Sequence, residues 1–230
     1  MIPAREKVWI GMPMMDRRID IGCVTGLFQV QGYYEKPFFA IGISNISGAR
    51  NKIAHIFMEH TEYEWFMMID SDIVFTPNDW QLLWEGDEDV VIAAYAKKII
   101  GERPTDTGAG FARVHRSVFQ KIKDMQKEDG SELAQRYYEQ GEMMVNYFPT
   151  GPNMDALWLG EDYSFWAMCA MANVKPRFEK RCRLKHVGYM EYEYPNQLSV
   201  QNVAKIVSTF SPEQLEELVK TFTPADEGAN

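Results

Sequence analysis

Residues 66–80 read FMMIDSDIVFTPNDW. An apolar run fit for a buried strand ends in Asp70 and Asp72, one residue apart, before Ile73, Val74 and Phe75 resume the pattern. Two carboxylates beside a core element repel each other and resist desolvation, so the pair calls for positive charge, and a divalent cation supplies it. Mg²⁺ and Mn²⁺ take carboxylate, water and phosphate oxygens together, which makes Asp70 and Asp72 suited to a nucleotide diphosphate. A bare Asp-x-Asp has a blander use, with one aspartate capping the helix that Pro77 begins and the other solvated. Two further segments add chemistry. LWLGEDYSFW puts Glu161 and Asp162 in the first turn of a helix, where free N–H groups favour the charged carboxylate, so Asp162 is expected ionised at pH 7 and able to accept a proton. LKHVGY places His186 just after a strand. In isolation, ordinary helix-start charge explains Glu161 and Asp162 equally well, and a satisfied, partly buried histidine explains His186 better than a functional role does.

These residues need elements to hold them. Residues 7–13 and 38–44 read as strands, and Ser47 caps a helix whose apolar positions Ile46, Ala49, Ile53, Ile56 and Phe57 keep three-and-four spacing. Then come a strand at 65–70, a short helix from Pro77 and a strand at 89–95. Strands alternating with helices imply a parallel sheet, with ligands collecting outside its carboxyl ends, where Asp70 and Asp72 stand. A further strand and helix occupy 108–127, and residues 128–159 suit a substrate-facing loop. A helix starts at Gly160, PRFEKRCRL reads as a last strand, and two C-terminal helices follow, one around Val203 to Phe210 and one capped by Ser211.

The chain has 230 residues, enough for one ordinary α/β domain. Its 46% apolar and 25% charged content fits a soluble globular protein, and no apolar run approaches the roughly 20 residues that cross a bilayer. Cys23, Cys169 and Cys182 are too scattered for a zinc ribbon or a disulfide scaffold, so reduced thiols and a cytoplasmic location are expected, the host cytoplasm if the chain is viral. A net charge of −9 argues against nucleic-acid binding by the whole surface. The stretch 175–185 is a local exception. Lys175, Arg177, Arg181, Arg183 and Lys185 would share one face of a continuous strand and neutralise phosphates, with Glu179 the lone acid.

Taken together, the segments resemble the GT-A glycosyltransferases, nucleotide-sugar enzymes with a Rossmann-like fold. The matching pieces, in the family's order, are IGMP, SGARNKIAHIF, WFMMIDSDIVFTP, TGAGFARVHRSVF, LGEDYSFWAMCAMANV and LKHVGY, and they span most of residues 7–189. The compact arrangement with ARN and GED is also similar to phage-encoded members. One departure from the commonest bacterial members is ISNISGARN after the second strand in place of an Asp-Asp-Gly-Ser stretch. The resemblance implies a single domain over 1–230: a nucleotide-binding half (1–100), an acceptor and catalytic half (101–190), and C-terminal helices with a tail (191–230). It further implies a mostly parallel Rossmann-like sheet flanked by helices.

Carried over residue by residue, the resemblance implies a Mn²⁺ or Mg²⁺ ion at Asp70, Asp72 and His186. It puts Pro13, Arg50, Asn51, Asp70, Ser71 and Asp72 around a UDP-sugar. Asp162 becomes the base, with Glu161 binding sugar hydroxyls, which implies inversion at the anomeric carbon. Trp158 and Tyr163 are the aromatic platforms for the acceptor. A glycan is one candidate acceptor; a modified base in DNA, flipped out and steered by the basic 175–185 stretch, is the other. Two alternatives stay open. A hydrophobic strand with Asp-x-Asp-x-Val also opens haloacid-dehalogenase-like phosphatases, with Asp70 as nucleophile and Asp72 as acid. A non-catalytic nucleotide- or carbohydrate-binding module is the other.

Overall fold

The computed structural model describes residues 2–15, 17–95, 108–126, 134–152, 158–188 and 191–193. The expected C-terminal helices lie outside the described residues. β1 (Val8–Met14) leads through α1 (Ile21–Gln29) to β2 (Pro37–Ile41), α2 (Ile46–His60), β3 (Trp65–Ile69), the two-residue β4 (Ile73–Val74), α3 (Pro77–Leu83) and β5 (Val90–Ala93). Next are β6 (Phe111–His115), α4 (Arg116–Lys123), β7 (Arg136–Glu139), β8 (Glu142–Val145), β9 (Gly151–Pro152) and β10 (Trp158–Leu159). α5 (Glu161–Met171), β11 (Arg177–Glu179), β12 (Lys185–Val187) and β13 (Glu191–Glu193) complete the order.

Six strands form the central sheet in the order β11-β5-β6-β3-β1-β2. β1 runs parallel to β2 and β3, and β5 parallel to β11, while β6 runs against both of its neighbours, β3 and β5. The sheet is therefore mostly parallel. Its strands alternate between two apolar faces, as a sheet covered on both sides requires. Trp9, Phe66, Met68, Val90 and Ile92 pack under α2, α4 and α5 with Ile53, Phe57, Phe119 and Phe165. Val8, Ile10, Met12, Met67, Ile69 and Val91 pack under α1 and α3 with Cys23, Leu27, Trp80 and Leu83. Both faces are apolar, and the helices are fixed across them by aromatic contacts such as Trp9–Phe57 and Phe57–Phe66.

Several local features depart from the sequence reading. α1 was not anticipated; Asp20 caps it, accepting from the Gly22 N–H at 2.7 Å. Asn45, not Ser47, caps α2, and the Ser47 hydroxyl instead donates to the Phe148 carbonyl. The segment expected to be an irregular loop contains the antiparallel hairpin β7–β8, turning at Gln140 and Gly141. Both turn residues have positive φ, which the tight hairpin turn needs. Two arginines close helix ends around β6. The buried Arg113 donates to the carbonyls of Leu83 and Gly86 beyond α3, and Arg116 donates to those of Phe57, Met58 and Thr61 at the end of α2. No helix among the described residues is long and apolar enough to cross a membrane.

Candidate functional site

The helix at Pro77 does not use the paired aspartates. Thr76 caps it and Asp79 completes a capping box, with Asp79 Oδ2 accepting from the Thr76 N–H at 2.8 Å. Asp70 and Asp72 are left at the carboxyl end of β3 for something else. The loop they occupy is pinned through its backbone: the Asp20 N–H donates to the Ser71 carbonyl and the Val187 N–H to the Asp72 carbonyl, each at 2.8 Å. β4 then pairs with β12, and β12 with β13, in a small antiparallel sheet of its own. In that register His186 stands opposite Ile73, next to Asp72, so His186 lies within a strand and not just after one. His186 Nε2 is 3.5 Å from Asp72 Oδ1, and the Tyr95 ring meets the imidazole edge-on with centroids 5.1 Å apart.

Asp70 turns a different way. Both of its oxygens accept from Arg50 Nη2, at 2.9 and 3.1 Å, and Arg50 Nε reaches Glu161 Oε1 at 3.3 Å. Arg50 is only 4% exposed. Burial opposes its charge, but Asp70 and Glu161 outweigh burial and hold the guanidinium protonated. Burial also pushes the Asp70 carboxyl above its usual value; Arg50 pulls it back, and Asp72 adds to the rise. The chain comes very close here. The Asp70 N–H donates to the Gly110 carbonyl and the Gly110 N–H to the Tyr95 hydroxyl, and a side chain at Gly110 would meet Asp70 Oδ2 and the Tyr95 oxygen at 2.7 Å each. Arg50 thus joins three segments: the end of β3, the first turn of α2 and the first turn of α5. The sequence placed Arg50 only against the UDP-sugar, not between two carboxylates, and it gave no role to Tyr95 or Gly110.

At Asp162 the helix start is not the stronger influence. Its Oδ1 accepts from the Tyr163 N–H at 2.8 Å, which lowers its pKa as expected, but burial and the adjacent Glu161 act more strongly and push the carboxyl up. A carboxylate moved toward neutral pH is a stronger base than an ordinary one. Trp158 on β10 is 73% exposed and Tyr163, in the first turn of α5, 40%, so both present ring surface to solvent. Pro13 is buried within β1, opposite Ala40. Asn51 faces the segment after β8: its amide donates to Asn146 Oδ1 at 2.7 Å and accepts from the Phe148 N–H at 2.9 Å.

The basic stretch is also arranged otherwise than the sequence suggested. No continuous strand runs through it, because β11 stops at Glu179 and β12 belongs to the other sheet. Arg177 and Arg181 both converge on the buried Glu179, and they reach on to Glu88 and Glu85 respectively. Two of the five expected phosphate ligands are therefore already neutralised. Burial would raise the Glu179 carboxyl, but hydrogen bonds from Arg181 and Arg177 prevail and hold it down at about 2. A depressed acid gives stability that is present above its ordinary value of 4.5 and is lost as pH falls toward 2. Glu179→Gln is expected to cost about 1–3 kcal/mol at pH 7. In urea titrations the deficit should shrink steadily below pH 4.5, and a deficit independent of pH would remove Glu179 as its source.

Asp72, in the turn just before β4, and His186, on β12, are a carboxylate and an imidazole that could hold a divalent cation between them. Imidazole with carboxylate suits Mn²⁺ better than Mg²⁺. Asp70, occupied by Arg50, is not part of a three-ligand group with them. Among the described residues, the group of three ligating side chains whose donor atoms lie within 4.8 Å of one another is His55, His60 and Glu142, elsewhere in the fold.

No family model matches the chain, and none of the curated proteins does. Solved structures do. A197 from STIV aligns with a TM-score of 0.50 at 13% identity, covering 84% of this chain and 96% of that one. The catalytic domain of Drosophila beta1,4galactosyltransferase 7, crystallised with xylobiose, gives 0.47 at 12% identity over 86% of this chain and 79% of that one. A glycosyltransferase involved in glycosylation of the major capsid of PBCV-1 gives 0.32 at 16% identity over 51% and 63%. The mixed α/β architecture, a mostly parallel sheet between two helix layers, is thus one that this chain shares with A197 from STIV.

Proposed function

We propose that the chain is a metal-dependent glycosyltransferase that moves a sugar from a nucleotide-diphosphate sugar, a UDP-sugar, to an acceptor hydroxyl. The observation that carries this reading is the convergence at the end of β3: Asp72 beside His186, and Asp70 tied through Arg50 to Glu161, next to Asp162. Asp72 and His186 would hold Mn²⁺ or Mg²⁺, which when bound neutralises the departing diphosphate. Asp70, kept rigid by Arg50, and Ser71 face the nucleotide's ribose, with Pro13 and the start of α2 as the neighbouring wall. Asp162 takes the proton of the acceptor hydroxyl, which gives inversion at the sugar carbon. Glu161, oriented by Arg50, positions sugar hydroxyls. Exposed Trp158 and Tyr163 offer stacking faces to a glycan acceptor. The arginine pairing around Glu179 disfavours DNA as that acceptor. The phosphatase alternative asks Asp70 to act as nucleophile, yet both its oxygens are held by a buried guanidinium.

The test is a panel of nucleotide diphosphates, with and without Mn²⁺, followed by thermal unfolding of wild type and Asp72→Asn. One nucleotide is expected to raise the wild-type Tm by about 5–10 °C at roughly 100 times its Kd, only with Mn²⁺. Asp72→Asn should show no such shift. Equal shifts in the two proteins would remove the donor site.

A further inference from the structure

On the opposite flank of α2, away from the aspartates, two histidines and a glutamate come together. His55 Nε2 lies 3.1 Å from Glu142 Oε2, His60 Nε2 lies 3.8 Å from Glu142 Oε1, and the two imidazoles meet edge-on with centroids 5.6 Å apart. We propose that His55, His60 and Glu142 form a zinc site that clamps the β7–β8 hairpin to α2.

Two imidazoles and one carboxylate are a donor set that Zn²⁺ takes, with a fourth position left for water. With zinc–ligand bonds of about 2.0–2.2 Å, tetrahedral donors stand roughly 3.3 Å apart, close to the separations already present here. His55 is buried and fixes one corner; His60 and Glu142 are exposed and can adjust from donor separations that all lie within 4.8 Å. His60 is the last residue of α2, and Glu142 follows directly on the hairpin turn. Lys52 Nζ stands 3.7 Å from Glu142 Oε2, and a zinc ion would displace it.

Among the described residues β7 and β8 form a two-stranded sheet that makes no ladder with the central sheet; Val145 at its far end packs into the core, while Glu142 at the turn is exposed. Beyond Val145 the chain is anchored to α2 by Asn51–Asn146 and Ser47–Phe148. At the turn end, His55, His60 and Lys52 are what reach it from α2. A metal there would fasten the second end. The three thiols are buried and do not compete for the ion.

The experiment titrates Zn²⁺ into the untagged, chelator-stripped chain by calorimetry, in wild type, His60→Ala and Glu142→Gln, and repeats all three in an Asp72→Asn background. Both replaced side chains are exposed, and circular dichroism confirms that each variant folds. One zinc per chain is expected, retained with Asp72→Asn and weakened by more than about 100-fold in His60→Ala and Glu142→Gln, since losing even an outer partner of a ligand costs about 10–100-fold. Hydrogen exchange over residues 136–145 should slow on adding zinc to wild type and not to His60→Ala. No zinc binding tighter than about 10 μM, or equal binding in His60→Ala, overturns the site. Binding without slowed exchange overturns the clamp. The nucleotide–Mn²⁺ shift should survive His60→Ala, so this site and the glycosyl-transfer reading fail separately.

Discussion

Asp162→Asn is expected to keep the nucleotide–Mn²⁺ thermal shift of the wild-type chain and to lose about 10²–10⁴-fold in transfer rate, the usual contribution of a general base. The amide nearly preserves the shape of the side chain and still accepts from the Tyr163 N–H, so the first turn of α5 should stay in place. What disappears is the capacity to take a proton. Because burial and Glu161 raise the Asp162 carboxyl, wild-type kcat/KM should fall on acidification at a higher pH than an ordinary aspartate would give, and the base is active only above that value. Transfer within tenfold of wild type in Asp162→Asn would place the base elsewhere. A lost thermal shift would mean instead that Asp162 helps to hold the donor.

Arg50→Met should cost about 3–5 kcal/mol, lowering Tm by about 6–20 °C, because it strands a mostly buried carboxylate without its partner. The replaced guanidinium contacts Asp70 and Glu161 at once, so the loss should not be additive. Adding Asp70→Asn to Arg50→Met should restore part of the stability, with a coupling of about 0.5–3 kcal/mol. pH supplies a second check. Asp70 already has a raised pKa in the fold, which means its ionisation costs stability as pH rises through that value, and removing Arg50 enlarges the cost. The deficit of Arg50→Met should therefore narrow on acidification. Additive effects in the double variant, or a Tm within 2 °C of wild type, would show that the contact stores little energy.

The placement of Asp70 and Asp72 at the end of a strand was legible because an apolar run ending in two like charges violates the core pattern, and the fold keeps that violation at the carboxyl end of β3. The strand-and-helix alternation was legible for the same kind of reason: Val90 to Ala93 and Phe66 to Ile69 bury side chains on both faces and read as continuous apolar runs. α1 was hidden because it has no polar stripe. Its outward residues include Ile21 and Phe28, 77% and 65% exposed, and its inward face includes Gly22 and Gly26, which let Val74 and Phe75 approach closely. The direction of β6 was equally unreadable, since an alternating apolar pattern is the same read either way along the strand. The charge of the 175–185 stretch misled because local counting found one acid, Glu179. The others, Glu85 and Glu88, arrive from the far side of β5 in sequence and only the fold brings them near.

The small sheet has a bearing on biosynthesis. Asp72 and its neighbour Ile73 emerge from the ribosome early, but their partner strand follows only with Lys185 to Val187. Pairings this remote close slowly, and much of the central sheet can form before them. A nascent or truncated chain ending short of Lys185 would thus display the paired carboxylates without His186, and the proposed cation site would become complete only as one of the final events of maturation.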